Sequence, residues 1–149
     1  MRLTQAVGDG LLAGTVGTAA MTVSSTVEMK LRRRGPSTVP ARAAARVLGV
    51  KPASARERER LNTVAHWAYG IGWGAARGVI GALGLRGVPA AALFFSLVWT
   101  TELITLPALD IGVPPVTRWG AEEIAVDALH HLVYAGVTSA AYDVLERCG

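Results

Sequence analysis

Four long apolar segments constrain the fold of this chain more than any other feature of its sequence. They span residues 6–29, 62–85, 88–109 and 124–145. A helix of about 20 residues crosses the hydrocarbon layer of a bilayer, so each segment is long enough to form a transmembrane helix. Only 17% of the chain is charged, which favours a membrane protein. Each segment also contains ionisable residues, so a buried helix in a soluble bundle is the competing interpretation.

The linkers between these segments indicate how the helices pair. Residues 85–88 leave room only for a tight antiparallel turn between the second and third segments. Pro114 and Pro115 interrupt any helix between the third and fourth segments. The sequence therefore predicts an all-α integral membrane bundle, a single domain over residues 1–149, with four transmembrane helices arranged as two helical hairpins.

The segment between the first two helices, residues 30–61, is a basic loop that contains ten of the fifteen lysine and arginine residues. An amphipathic stretch within it predicts a short interfacial helix that ends at Gly49. Farther along, Ser54 and Glu57 have the spacing of a capping box, which predicts that the next helix begins near Ala55.

Charge asymmetry predicts the orientation in the membrane. Positive residues in short loops mark the cytoplasmic side, and eleven basic residues lie on the side of the 30–61 loop against three on the other side. We therefore expect a cytoplasmic loop and both termini outside. Nucleic-acid binding is not expected, because no aromatic residue interrupts the basic residues to stack on bases.

Glycine spacing in the second segment indicates a close helix contact. Gly70, Gly74 and Gly78 share one stripe, and small residues at this spacing let two helices approach closely. No strand precedes the sequence GIGWG, so it is not a dinucleotide-binding turn. We expect the stripe to receive a partner membrane helix or a second copy of the chain.

Ionisable residues from all four predicted helices converge in the half of the bundle next to the basic loop: Glu28, His66, Glu102, Asp127 and His130. Such groups are costly in lipid and normally turn inward to find partners. We expect His130 and Asp127 to face the bundle interior and to lie within hydrogen-bonding or water-bridged distance of Glu102 or His66. His131 lies about 100° around the helix from His130 and is expected to face a neighbouring helix or the headgroups.

Three functions fit this cluster, and the sequence leaves them open. The residues could act as hydrogen-bonded links between helices, or as a proton or ion path, since histidine and carboxylates titrate or bind ions. The third alternative is a divalent metal site for Zn, Fe or Mn, because Asp127 and His130 are three residues apart, as in di-metal bundles. A second such pair, which a di-iron site needs, does not occur in the sequence. No other cofactor is expected.

The opposite half of the predicted bundle holds Asp9, Arg77 and Asp143. A lone guanidinium at the depth of Arg77 would be unfavourable in a membrane. We therefore expect an ion pair between Arg77 and one of the two aspartates.

The sequence contains no recognisable catalytic motif. It lacks a nucleophile elbow with a serine, histidine and aspartate set, a phosphate-binding loop and a zinc-protease motif. We therefore expect a structural or interaction component of a membrane rather than an enzyme.

A succession of residues in the later part of the chain matches a known pattern: Pro107, Pro114, Pro115, Trp119, Glu123 and the sequence HHLVY at 130–134, with His66 at the head of the second helix. In this succession the chain resembles the YagU-like family over residues 62–145. The resemblance implies a small multi-pass protein of the bacterial cytoplasmic (inner) membrane and implies no particular activity. The basic loop 30–61 is where the chain departs most from the family pattern.

Overall fold

The computed structural model describes residues 2–148, and in that range the chain is entirely helical, without a strand. Its five α-helices are α1 (Leu3–Arg32), α2 (Val39–Leu48), α3 (Ala55–Ala82), α4 (Gly87–Ala108) and α5 (Ala121–Cys148). A short 3-10 turn, Val116–Arg118, precedes α5. The all-α prediction is confirmed, and the four long helices coincide with the four apolar segments.

The predicted start of α3 is confirmed in detail. The backbone N–H of Glu57 donates to Ser54 Oγ at 3.2 Å, and the Glu57 carboxylate accepts from the N–H of Ala53 at 2.8 Å. These bonds satisfy N–H groups that have no partner inside a helix. α3 therefore begins at Ala55, and its charged first turns precede the apolar segment.

The short helix predicted in the basic loop is α2, and it ends at Gly49 in the left-handed conformation, with φ 67°. It is fixed to α3 through Asn62, whose side-chain oxygen accepts from the N–H of Ala41 at 2.9 Å. The Asn62 amide also donates to the carbonyl of Ser37 at 3.0 Å. α2 thus lies against the first turns of α3, and Ala41 is its buried contact.

The closest helix contact is between α1 and α3, and glycine makes it possible. A Cβ added to Gly14 would lie 2.9 Å from Gly74 Cα and 3.0 Å from the carbonyl oxygen of Ile71. Gly10 likewise lies against the backbone of Gly74, and Gly78 against that of Ala6. Side chains larger than hydrogen would force the two helices apart.

This contact changes the interpretation of the stripe formed by Gly70, Gly74 and Gly78. We expected it to receive a partner helix or a second copy, but the helix that it receives is α1 of the same chain. The physical reason is that α1 has its own small residues in register with the stripe. A surface for a partner must therefore be sought elsewhere on the molecule.

The long helices are not packed as two equal hairpins. α1 packs most extensively against α3 and then against α5, whereas α4 packs mainly on α5 and only lightly on α3. The apolar core is small: Ile80, Ala90, Phe94, Val98, Tyr134 and Ala135. Among the described residues, six polar or charged side chains are buried beside ten apolar ones: Thr18, Arg77, His130, His131, Thr138 and Ser139.

Within residues 2–148, two helices, α1 and α4, are long and apolar enough on their own to cross a membrane. The prediction of four membrane-spanning helices is therefore supported only for α1 and α4. α3 and α5 fall short because glycine, histidine, tyrosine and charged residues reduce their hydropathy.

Candidate functional site

The predicted polar residues lie at one end of the bundle, which we call the loop end. It is formed by the last turns of α1 and α4 and the first turns of α3 and α5. α5 lies between α1 on one side and α4 on the other. Successive residues of α5 therefore meet different neighbouring helices.

The most closely bonded group at the loop end joins α4 to α5. Glu102 Oε2 lies 2.6 Å from His131 Nε2, and His131 Nδ1 lies 2.8 Å from the carbonyl oxygen of Asp127. The Asp127 carboxylate accepts from Trp99 Nε1 at 2.7 Å and lies 3.6 Å from His131 Nδ1. His131 is buried, with 3% of its surface exposed.

This geometry constrains where protons reside. A carbonyl oxygen can only accept, so the ring nitrogen facing the Asp127 carbonyl must carry a hydrogen. The other ring nitrogen faces the Glu102 carboxylate, and a bond between them needs one further hydrogen, on His131 or on Glu102. The pair therefore holds one proton between imidazole and carboxylate, with the Asp127 carboxylate beside it.

A second group joins α5 to α1. His130 Nδ1 lies 2.8 Å from Ser24 Oγ, while its Nε2 lies 3.8 Å from Glu28 Oε2. This Nε2 is buried and has no hydrogen-bond partner among the described residues. The carboxylate of Glu28 is held instead by Arg34, through a 2.8 Å bond from Nε and a second bond from Nη2. That hydrogen bonding raises the pKa of Arg34, which follows α1, above its ordinary value.

His66 makes a separate contact between α3 and α1. Its Nε2 lies 3.0 Å from Thr22 Oγ1, and this hydroxyl donates to the carbonyl of Thr18 at 2.8 Å. Because the one hydroxyl hydrogen is used in that bond, the threonine oxygen accepts and His66 Nε2 donates.

The five predicted residues are therefore brought to one end but not into one cluster. The contact expected between His130 and Glu102 is made by His131, and Asp127 bonds Trp99 rather than His66. His130 faces the bundle interior and His131 faces a neighbouring helix, as expected, but the partners of His130 and Asp127 differ from the expected ones. The sequence does not show which helix flanks each face of α5. The 100° between consecutive residues turns His130 toward α1 and His131 toward α4.

The opposite half contains the ion pair expected for Arg77. Of the two candidate partners, Asp143 is the one in contact, with its Oδ1 2.6 Å from Arg77 Nη2. Arg77 Nε also donates to Ser139 Oγ at 3.1 Å, and the guanidinium carbon lies 4.4 Å from the ring centroid of Tyr142. Arg77 is fully buried, and in the part of the chain described its Nη1 has no hydrogen-bond partner. The same holds for the buried Oδ2 of Asp9.

An ion pair at the surface of this half of the bundle joins the turn between α3 and α4 to α5. Arg86, in the turn between α3 and α4, donates from Nη2 to Glu146 at 3.0 Å. The hydrogen bonds that Arg86 donates to the Glu146 carboxylate raise the pKa of Arg86 above its ordinary value. The turn is thus attached to the last helix.

A metal site needs several histidine, cysteine, aspartate or glutamate side chains around one point. Across residues 2–148, no three histidine, cysteine, aspartate or glutamate side chains lie close enough together to hold a metal ion. His131, Glu102 and Asp127 bond one another and Trp99 instead.

Comparisons with protein-family models, with curated proteins and with solved structures find no match to this chain.

Proposed function

We propose that this protein is a multi-pass component of the bacterial inner membrane, in which α1, α3, α4 and α5 all cross the bilayer and the polar side chains link the helices. The observation that carries the proposal is the exposure of the two most apolar helices. In their most apolar 18-residue stretches, α1 is only 33% buried and α4 only 17%. A core helix of a soluble protein would have most of this surface buried.

Large aliphatic side chains are among the exposed residues of both helices. Leu12 and Val23 of α1 are 59% and 64% exposed, and Val88 and Ile104 of α4 are 82% and 66% exposed. Each such side chain loses about 1.5–3 kcal/mol of favourable transfer free energy when it is left in water. A hydrocarbon environment removes this cost without a protein partner.

The buried polar contacts support the inclusion of α3 and α5 in the membrane. His66 bonds α1 from α3, His131 bonds α4 from α5, and Arg77 bonds α5 from α3. Their polar groups therefore face other helices rather than lipid, as intramembrane polar residues generally do. Contacts of this kind hold transmembrane helices together with about 0.6 kcal/mol each.

The proposed orientation has the basic segment 30–61 in the cytoplasm and both termini outside, following the asymmetry of positive charge. Membership of the YagU-like family is part of the same proposal and is supported by the succession from Pro107 to the HHLVY sequence.

Orientation is tested with a membrane-impermeant thiol reagent on intact cells. Cys148 is the only cysteine and is exposed, so the unaltered chain reports the carboxyl terminus. A Cys148→Ser/Arg58→Cys chain reports the basic segment. Labelling of Cys148 alone supports the orientation, and labelling of the second chain alone reverses it.

Proton transfer is a second candidate function, favoured by one observation. The pair of His131 and Glu102 holds a single proton beside the Asp127 carboxylate, and proton carriers use such groups. Vesicles containing the purified protein should then dissipate an imposed pH gradient faster than empty vesicles, and Glu102→Gln should abolish the difference. Equal rates in all three preparations would leave the polar contacts with a structural role alone.

A further inference from the structure

A basic pocket lies where α2 meets the turn that follows α4. It has a volume of about 410 Å³. Its basic lining comes from Arg42, Arg46 and Lys51, and its apolar lining from Ala45, Val50 and Ile111. None of these residues takes part in the polar contacts between the long helices.

The two arginines are held in place by backbone carbonyl groups of the turn that follows α4. Arg42 Nη1 donates to the carbonyl of Ile111 at 2.5 Å, and Arg46 Nε donates to that of Leu109 at 3.2 Å. Carbonyls at the end of a helix lack partners within it and attract positive charge. Each guanidinium therefore has an anchored side and further N–H groups left for another acceptor.

The pocket contains positive charge that forms no ion pair, although Asp110 lies in the same turn, between Leu109 and Ile111. In the described residues, the ion pairs within 4.0 Å involve other arginines and histidines, and none includes Arg42, Arg46 or Lys51. Three cations without an ion-pair partner around one pocket favour a multiply coordinated anion, and guanidinium groups match the geometry of phosphate.

Apolar side chains next to the pocket indicate the kind of molecule that would carry this phosphate. Val47 and Leu48, at the end of α2, are 68% and 66% exposed. The pocket also adjoins the last turn of α4, where a transmembrane helix would leave the hydrocarbon layer. A phospholipid offers both a phosphate for the cations and an acyl chain for Val47 and Leu48, whereas free phosphate offers only the first.

We propose that this pocket is a binding site for the phosphate headgroup of an anionic phospholipid in the adjoining leaflet. The proposal rests on the proposed function, because it needs α4 to cross the bilayer. Within that setting α2 is an interfacial helix that selects lipid by charge through its arginines and fixes the end of α4 to the membrane surface.

Calorimetric titration of the full-length chain in neutral detergent micelles tests the site. The probes are dioctanoyl phosphatidylglycerol, dioctanoyl phosphatidylcholine and inorganic phosphate. We expect saturable binding of the anionic lipid and weaker binding of the other two. The variant Arg42→Gln/Arg46→Gln/Lys51→Gln should weaken lipid binding about tenfold or more, since each basic residue near an anionic headgroup contributes.

The matched control is Arg56→Gln/Arg58→Gln/Arg60→Gln, which removes three charges from the same segment at exposed positions outside the pocket. It should change binding less than about threefold. Lys51→Gln alone is a second variant that leaves both arginine anchors in place, and it should also weaken binding. Equal losses in the two triple variants would show diffuse charge attraction and overturn the proposal, as would inorganic phosphate that binds as tightly as the lipid.

Alkaline carbonate extraction of membranes separates this inference from the proposed function. Wild type and the pocket triple variant should both stay in the membrane fraction. If wild type is extracted, the proposed function fails; if it stays but binds no anionic lipid saturably, only the pocket proposal fails.

Discussion

At the residue scale, two adjacent histidines of α5 have different roles because they face different helices. His130 meets Ser24 of α1, whereas His131 meets Glu102 of α4 at 2.6 Å. Sequence periodicity identified a polar stripe on α5 and the half of the bundle where it lies. It could not assign partners, because these depend on which helices flank α5 and at what rotation. The signal that could have identified His131 is its spacing of four residues from Asp127, which places both on one face.

Loss of the Glu102 carboxylate should destabilise the contact between α4 and α5. Glu102→Gln removes the charged partner of the buried His131, and we expect a loss of about 1–3 kcal/mol in the free energy of unfolding. The measurement is denaturation by sodium dodecyl sulfate in mixed micelles. Glu122→Gln is the matched control, because the Glu122 side chain is 76% exposed and should have little effect. Equal losses in the two variants would contradict the assigned contact.

The partner of Arg77 can be tested by a double-mutant cycle. Arg77→Leu leaves Asp143, whose side chain is 27% exposed, without its partner, and we expect a loss of about 1–3 kcal/mol in the free energy of unfolding. Adding Asp143→Leu should recover part of that loss, whereas adding Asp9→Leu should not, since Asp143 is the aspartate in contact. Recovery with Asp9→Leu and not with Asp143→Leu would reverse the assignment.

At the element scale, the helix boundaries were largely predictable and the helix partners were not. The capping residues Ser54 and Glu57 and the glycine after α2 specify local backbone geometry, so sequence alone located these ends. Packing depends on surfaces distant in sequence. The stripe around Gly74 was recognised as a close-contact surface, but the helix that covers it follows from the matching small residues of α1.

Substitutions at two glycines of α3 should separate two contributions to stability, the packing of α3 against α1 and the intrinsic helix propensity of the residue. A Cβ at Gly74 would lie 2.8 Å from Gly14 Cα, so Gly74→Ala should cost about 1–3 kcal/mol through overpacking. At Gly72 an added Cβ meets nothing within 4 Å in the described chain, so Gly72→Ala should gain about 0.5–1 kcal/mol, as alanine does in helices. Unfolding in mixed micelles measures both. Destabilisation by both variants alike would contradict the α1–α3 contact.

At the scale of the whole molecule, polar groups lie inside and aliphatic groups outside. Arg77 and His131 are buried, while Leu12 of α1 and Leu97 of α4 are 59% and 42% exposed. This distribution is unfavourable in water and favourable in a bilayer, where helix contacts rely on close packing and hydrogen bonds. The sequence predicted a membrane setting from segment length, but only the packing shows which aliphatic faces of α1 and α4 are left uncovered by other helices.

The central claim is that the outer faces of α1 and α4 contact lipid, and spin-label accessibility in reconstituted vesicles tests it most directly. Labels are placed singly at Leu12, Leu97 and Arg58 in a Cys148→Ser background. At Leu12 and Leu97 we expect frequent collisions with oxygen, which dissolves in hydrocarbon, and rare collisions with a water-soluble nickel complex. Arg58, in the basic segment, should show the reverse. Nickel access at Leu12 and Leu97 equal to that at Arg58 would place these faces in water and contradict the account.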